Sequence, residues 1–215
     1  MRNIKSFGSA ATVLLLSLML VLALGSVSVF AALEFGEWYT TTMNRIEVDA
    51  MSMAISIENF DCTGVEAGAR SGSEAATTAL DELEGYELSP EMQPVKDHLK
   101  PALEDFKEAC RYAETGAMKY DATDLKTAAQ YVNTSLGHLE EIDKLGLVSP
   151  APVGALKRLQ EDFEQAAKIV GRAQSSSTPT PSLSPTPTPE TPSYEAIIAV
   201  GGLFVVAYRV LRRKG

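Results

Sequence analysis

The sequence predicts an all-α fold: an up-and-down bundle of four to five helices, followed by a disordered Ser/Thr/Pro stalk and a C-terminal hydrophobic helix. Three observations predict it. Apolar residues recur at alternating spacings of three and four over most of residues 32–174, the period of one helix face. The breaks between these seams are short, which makes consecutive helices antiparallel neighbours. No apolar/polar alternation of the kind a half-buried strand needs appears in that stretch,.

The first helix is read from Met43, Ile46, Ala50, Met53, Ile57 and Phe60. A turn at residues 61–64 leads to a second seam of Val65, Ala69, Gly72, Ala76, Ala79 and Leu83, with Gly85 as its stop,. This seam is rich in small residues. Gly64, Gly68 and Gly72 lie four apart in GVEAGARSG, with no Gly-Lys-Ser/Thr behind them and no Gly-x-Ser-x-Gly around them, so close helix packing explains them better than a phosphate loop or a nucleophile elbow. Ser89-Pro90-Glu91 reads as an N-cap with Pro at the first helical position. The third seam is Val95, Leu99, Leu103, Phe106, Cys110 and Ala113, with Pro101 expected to kink the helix or mark a later start,. A fourth helix starts at Asp121, with Asp124 favourably placed in its first turn. Its seam is Leu125, Ala129, Val132, Leu136, Leu139 and Ile142, and it ends at Gly146. After VSPAPVG, Val153, Leu156, Leu159, Phe163, Ala166 and Val170 form a fifth.

The two ends differ from this middle. Arg2 and Lys5 precede an apolar run from Ala10 to Phe30, and Val29 and Ala31 are placed for cleavage after Ala31; this is the layout of a secretory signal peptide. The run is also long enough for an uncleaved anchor, and both readings export the middle. Residues 175–192, SSSTPTPSLSPTPTPETP, hold six Pro and ten Ser or Thr among 18 residues. That composition cannot build a core. It favours an extended stalk reaching roughly 55 Å, of a kind that is often O-glycosylated. A short apolar segment follows, from Ala196 to Tyr208, closed by Arg209, Arg212, Arg213 and Lys214. It is marginal as a permanent span, and the basic end would stay on the cytoplasmic side.

The order of this C-terminus resembles the archaeal PGF-CTERM sorting signal: a Thr/Pro-rich stalk, Pro192-Ser193-Tyr194, Glu195, the run IIAVGGLFVVAY and the terminal RRK. The family's Pro-Gly-Phe is Pro192-Ser193-Tyr194 here, and Ser lacks the backbone freedom of Gly. The resemblance implies an archaeal surface protein whose tail an archaeosortase removes and replaces with a lipid anchor. The expected organisation is therefore a signal peptide over residues 1–31, an exported helical bundle over 32–174, a stalk over 175–192 and a sorting signal or transmembrane tail over 193–215.

Charge and composition bound the chemistry. The chain has 28 Asp and Glu against 19 Lys and Arg and a formal net charge of −9, and the excess lies in residues 32–174, with 26 acidic against 13 basic side chains. That disfavours a nucleic-acid partner, which needs clustered cations. Cys62 and Cys110 are the only cysteines. In an exported chain such a pair usually forms a disulfide, here closing a 48-residue loop worth about 4 kcal/mol; a free buried thiol or metal ligation are the other readings. His98 and His138 are the only histidines, and neither ends a Glu-x-x-His, so a di-iron bundle is not expected. The acidic groups Asp81, Glu82, Glu84 and Glu87, then Glu140, Glu141 and Asp143, match no EF-hand spacing and read as solvated faces. Asn133-Thr134-Ser135 is an N-glycosylation sequon, usable if Asn133 faces solvent. No metal and no cofactor are expected.

The function this predicts is non-enzymatic: a cell-surface protein, envelope- or S-layer-associated, that displays a helical bundle at the outer face of the membrane. The alternative is an extracellular ligand-binding or sensing bundle, with Met43, Met51 and Met53 and Tyr112, Tyr120 and Tyr131 lining a pocket.

Overall fold

The computed structural model describes the backbone of residues 7–176 and the side chains of residues 33–176. The signal peptide with its cleavage point at Ala31, nearly all of the stalk, and the tail residues Pro192, Ser193, Tyr194, Glu195, Arg209, Arg212, Arg213 and Lys214 lie outside the described side chains. Five helices and no strand make up the described part: α1 (Phe7–Glu58), α2 (Cys62–Glu84), α3 (Gln93–Lys119), α4 (Ala122–Leu145) and α5 (Val153–Ser176). Over residues 33–176, no helix is long and apolar enough to cross a membrane.

Cross-helix pairs fix the topology. Trp38–Glu82 and Asp49–Ser71 run α1 and α2 antiparallel. Lys100–Glu84 and Arg70–Glu114 do so for α2 and α3. The Tyr112–Tyr131 stack and the Ser135 hydroxyl on the Ala102 carbonyl do so for α3 and α4. Each helix backbone packs against its neighbours in sequence, and α5 returns against α1. Thr40–Ser149 and Arg158–Glu58 tie that last seam. The result is a closed ring of five helices with one core.

The apolar seams are the core. The second, third and fourth seams are buried at every position expected of them, from Val65 through Ile142. α1 extends its seam backwards through Phe35 and Tyr39, both fully buried. Phe60 falls out of the seam: the helix ends at Glu58, and Phe60 takes a left-handed backbone (φ 55°) on the surface. In α5, Leu156, Leu159 and Phe163 are buried, while Val153, Ala166 and Val170 are half-buried.

Helix ends follow local chemistry. Asp61 caps α2 by accepting from Gly64 N at 2.9 Å, and Asp121 caps α4 by accepting from Thr123 N at 2.7 Å, each satisfying a donor that the first turn leaves open. Gly146 closes α4 in the left-handed region (φ 64°), where glycine carries no Cβ penalty. α3 departs from expectation. It begins at Gln93, after a turn in which the Ser89 carbonyl accepts from Met92 N and Gln93 N, and it runs helical through Pro101.

The glycine stripe of α2 does what close packing requires. A Cβ on Gly64 would meet the Ser56 and Asp61 side chains, one on Gly68 would lie 2.8 Å from Met53 Cγ, and one on Gly72 would lie 2.9 Å from Cys110 Sγ. Each step of four residues turns the stripe by about 40°, so Gly64 and Gly68 face α1 while Gly72 faces α3.

That register overturns the expected disulfide. Cys62 and Cys110 are both free thiols. Gly72, not Cys62, sits opposite Cys110. Ten residues of helix separate the two positions by about 15 Å along the axis, and a disulfide tolerates no more than about 7 Å between Cα atoms. Cys62 instead lies beside Tyr120, whose phenol is held above its ordinary range first by a hydrogen bond with Cys62.

Candidate functional site

Three places concentrate polar chemistry in the described residues. The first is a trough between α4 and α5 of about 900 Å³. The one-turn spacing of α4 puts Lys126, Ala129 and Asn133 on its wall, with Gln130 and Thr134 at the edge, and α5 contributes Gln160, Glu164, Ala167 and Lys168. Small Ala129 and Ala167 open the floor; the amides and ammonium groups form the sides. On the α5 side, Gln160 Nε2 donates to Glu164 Oε1 at 3.1 Å, and Lys168 Nζ stands 3.7 Å from Glu164 Oε2. The trough therefore offers hydrogen-bond donors and acceptors of both charges, with no aromatic ring in its lining.

The sequon opens onto this trough. Asn133 and Thr134 are exposed, and Ser135 is buried, donating to the Ala102 carbonyl at 2.8 Å. Residues one and two positions apart on a helix point away from each other. Burying Ser135 against α3 therefore turns Asn133 outward.

The second place joins the chain's two histidines. His98 of α3 and His138 of α4 lie with ring centroids 6.1 Å apart, and His138 Nε2 stands 3.7 Å from Asp105 Oδ2. Burial pushes the Asp105 carboxyl up, His138 pulls it back, and Glu104 adds to the rise. The histidines are 40 residues apart in sequence, and no motif announced their meeting. Among the described residues, no group of three His, Cys, Asp or Glu side chains could hold a metal ion.

The third is inside the core. Asp49 is buried; its Oδ1 accepts from Ser71 at 2.9 Å, and its Oδ2 has no partner. Cys110 lies close by, and burial first, then the Asp49 charge, pushes its thiol well above the ordinary range. A thiol held protonated is a poor nucleophile, so this cluster acts as packing rather than as a reactive centre.

The remaining sequence candidates disperse. Met43 and Met53 are core, Met51 packs against the core from a shallow hollow on α1, Tyr112 and Tyr131 stack at 5.6 Å, and Tyr120 is exposed. They do not share a pocket. Five of the seven acidic residues have separate partners: Glu82 accepts from the Trp38 indole, Glu84 pairs with Lys100, Glu140 with Lys157, Glu141 with Lys144, and Asp143 accepts from Ala151 N. Compared with known proteins, the chain matches no family model, no curated protein and no solved structure.

Proposed function

We propose that this protein is a non-enzymatic cell-surface protein, anchored to the outer face of the membrane by its C-terminal end, that presents a five-helix bundle to components of the cell envelope. The observation that carries the reading is the order of segments. A charged start and an apolar run precede the bundle, and a Ser/Thr/Pro stretch, an apolar segment and a basic cluster follow it. The bundle fits that frame. Its last helix ends at Ser176, two residues into the expected stalk. Where carboxylates meet, an arginine stands between them, Arg70 between Glu66 and Glu114 and Arg158 between Glu58 and Asp162, an arrangement that suits a solvated display surface. The resemblance of Pro192-Ser193-Tyr194-Glu195 and the RRK end to the archaeal sorting signal adds a specific expectation: an archaeosortase cuts the tail and a lipid takes its place.

The test is the intact mass of the protein from native membranes, with protease treatment of whole cells alongside. A mass lacking residues 1–31 and the tail, with a lipid added, supports the sorted form. A chain that keeps its tail and is cut by external protease is surface-displayed by a membrane segment. A chain protected in intact cells and cut only after lysis overturns the reading.

A further inference from the structure

The sequon and the α4–α5 trough are one site. We infer that Asn133 carries an N-linked oligosaccharide whose first sugars lie in the trough. The inference rests on the proposed export, because the sugar donor and transferase act on the outer side.

Four observations carry it. Asn133 and Thr134 are exposed at mid-helix while Ser135 is buried, so the acceptor amide points away from the core. Asn133 itself lines a trough of about 900 Å³, far larger than a water site and large enough for sugar rings. The positions one turn to either side are Ala129 and Gly137, and a Cβ at Gly137 would meet nothing within 4 Å. Neither of those two positions carries a bulky side chain against the glycosidic bond. The far wall supplies Gln160 and Lys168, donors that suit sugar hydroxyls.

The chemistry balances with one co-reactant, a lipid-phosphate-linked oligosaccharide. Asn133 Nδ2 attacks the anomeric carbon, and the C–N bond forms. The C–O bond to the lipid phosphate breaks, and the phosphate leaves with that electron pair. The amide nitrogen gives up one proton to the transferase. Attack requires an extended sequon, so the step precedes the coiling of α4, while the exported chain is still unfolded. Folding then turns Asn133 outward and lays the glycan against α5.

The experiment compares three chains purified from the native host: wild type, Thr134→Ala and Asn133→Gln. Ser135, the hydroxyl residue of the sequon, is untouched, and positions 133 and 134 are exposed, so folding is not at stake. Wild type and Thr134→Ala, which retain the Asn-x-Ser sequon, should show mass above the peptide by whole sugar residues on the fragment containing position 133. Asn133→Gln should show none. Amine labelling of Lys126 and Lys168 should be slower in the two glycosylated chains than in Asn133→Gln. Absence of added sugar mass from all three overturns the inference. Equal labelling with unequal masses overturns the seating of the glycan in the trough. Protease treatment of whole cells separates the two readings: an accessible, unmodified chain sinks the glycan alone, and a protected, unmodified chain sinks export as well.

Discussion

Tyr39 buries its whole ring, yet its hydroxyl meets no hydrogen-bond partner. Burial first, and then the Asp143 charge, hold its phenol well above the ordinary range. A buried hydroxyl without a partner costs free energy that a methine does not. Tyr39→Phe should therefore raise stability by about 1 kcal/mol, read as a higher midpoint in urea. Asp162 poses a related question with a pH signature. Its Oδ2 is buried without a hydrogen bond, 3.9 Å from Arg158 Nε. Burial raises the carboxyl's pKa, Glu58 adds to the rise, Arg158 opposes it, and Glu161 adds a little more. A carboxyl raised in the folded state is penalised when ionised. The penalty is fully present above the folded pKa and absent below the unfolded value of 3.8,. Asp162→Asn should thus stabilise the bundle at neutral pH by roughly 1 kcal/mol. That gain should shrink toward zero on acidification; a gain that stays constant from neutral to acid pH would contradict the account.

Two glycines in different helices should respond to the same substitution with opposite signs. Gly72 has no room: an added Cβ would sit 2.9 Å from Cys110 Sγ and 3.3 Å from Phe106 Cε1. Gly72→Ala should cost about 1–3 kcal/mol through overpacking. Gly137 is exposed in the interior of α4 with open space around it. Gly137→Ala should stabilise by about 0.5–1 kcal/mol by removing unfolded-state freedom. Thermal melts of both variants check the pair together. Legibility in the sequence also divides by element. The α2, α3 and α4 seams were readable because burial there follows the helical period from end to end. Phe35 and Tyr39 were missed because the apolar run before them hides where one-sided burial begins. Phe60 kept the spacing of its seam but not the conformation, since the chain leaves the helix two residues earlier. The start of α3 was misplaced because the Ser89 carbonyl, rather than its hydroxyl, engages the following amides.

At the scale of the molecule, what spacing along one helix cannot give is the register between two. The paired reading of Cys62 and Cys110 came from cellular compartment and count. The loop between α2 and α3 sets a register that places Gly72 beside Cys110 instead. The same register-blindness hid the meeting of His98 and His138. For the candidate site, the sequon was legible and its outward face was not, because that depends on Ser135 finding the Ala102 carbonyl across α3. With both cysteines free, reductant should change neither the mass nor the melting temperature of residues 33–177; a drop in melting temperature on reduction would restore the bridge.

The ring described above also has a kinetic meaning. Every seam but one joins helices made one after the other. Such a topology keeps contact order low, and low contact order goes with fast folding. A chain emerging N-terminus first can dock each helix on its predecessor without waiting for distant segments. Only the seam between α1 and α5 spans the whole domain, so it closes last. The helix that completes the fold is thus the one that leads, in sequence, into the Ser/Thr/Pro segment, so the last seam to close is also the one nearest the domain's C-terminal edge.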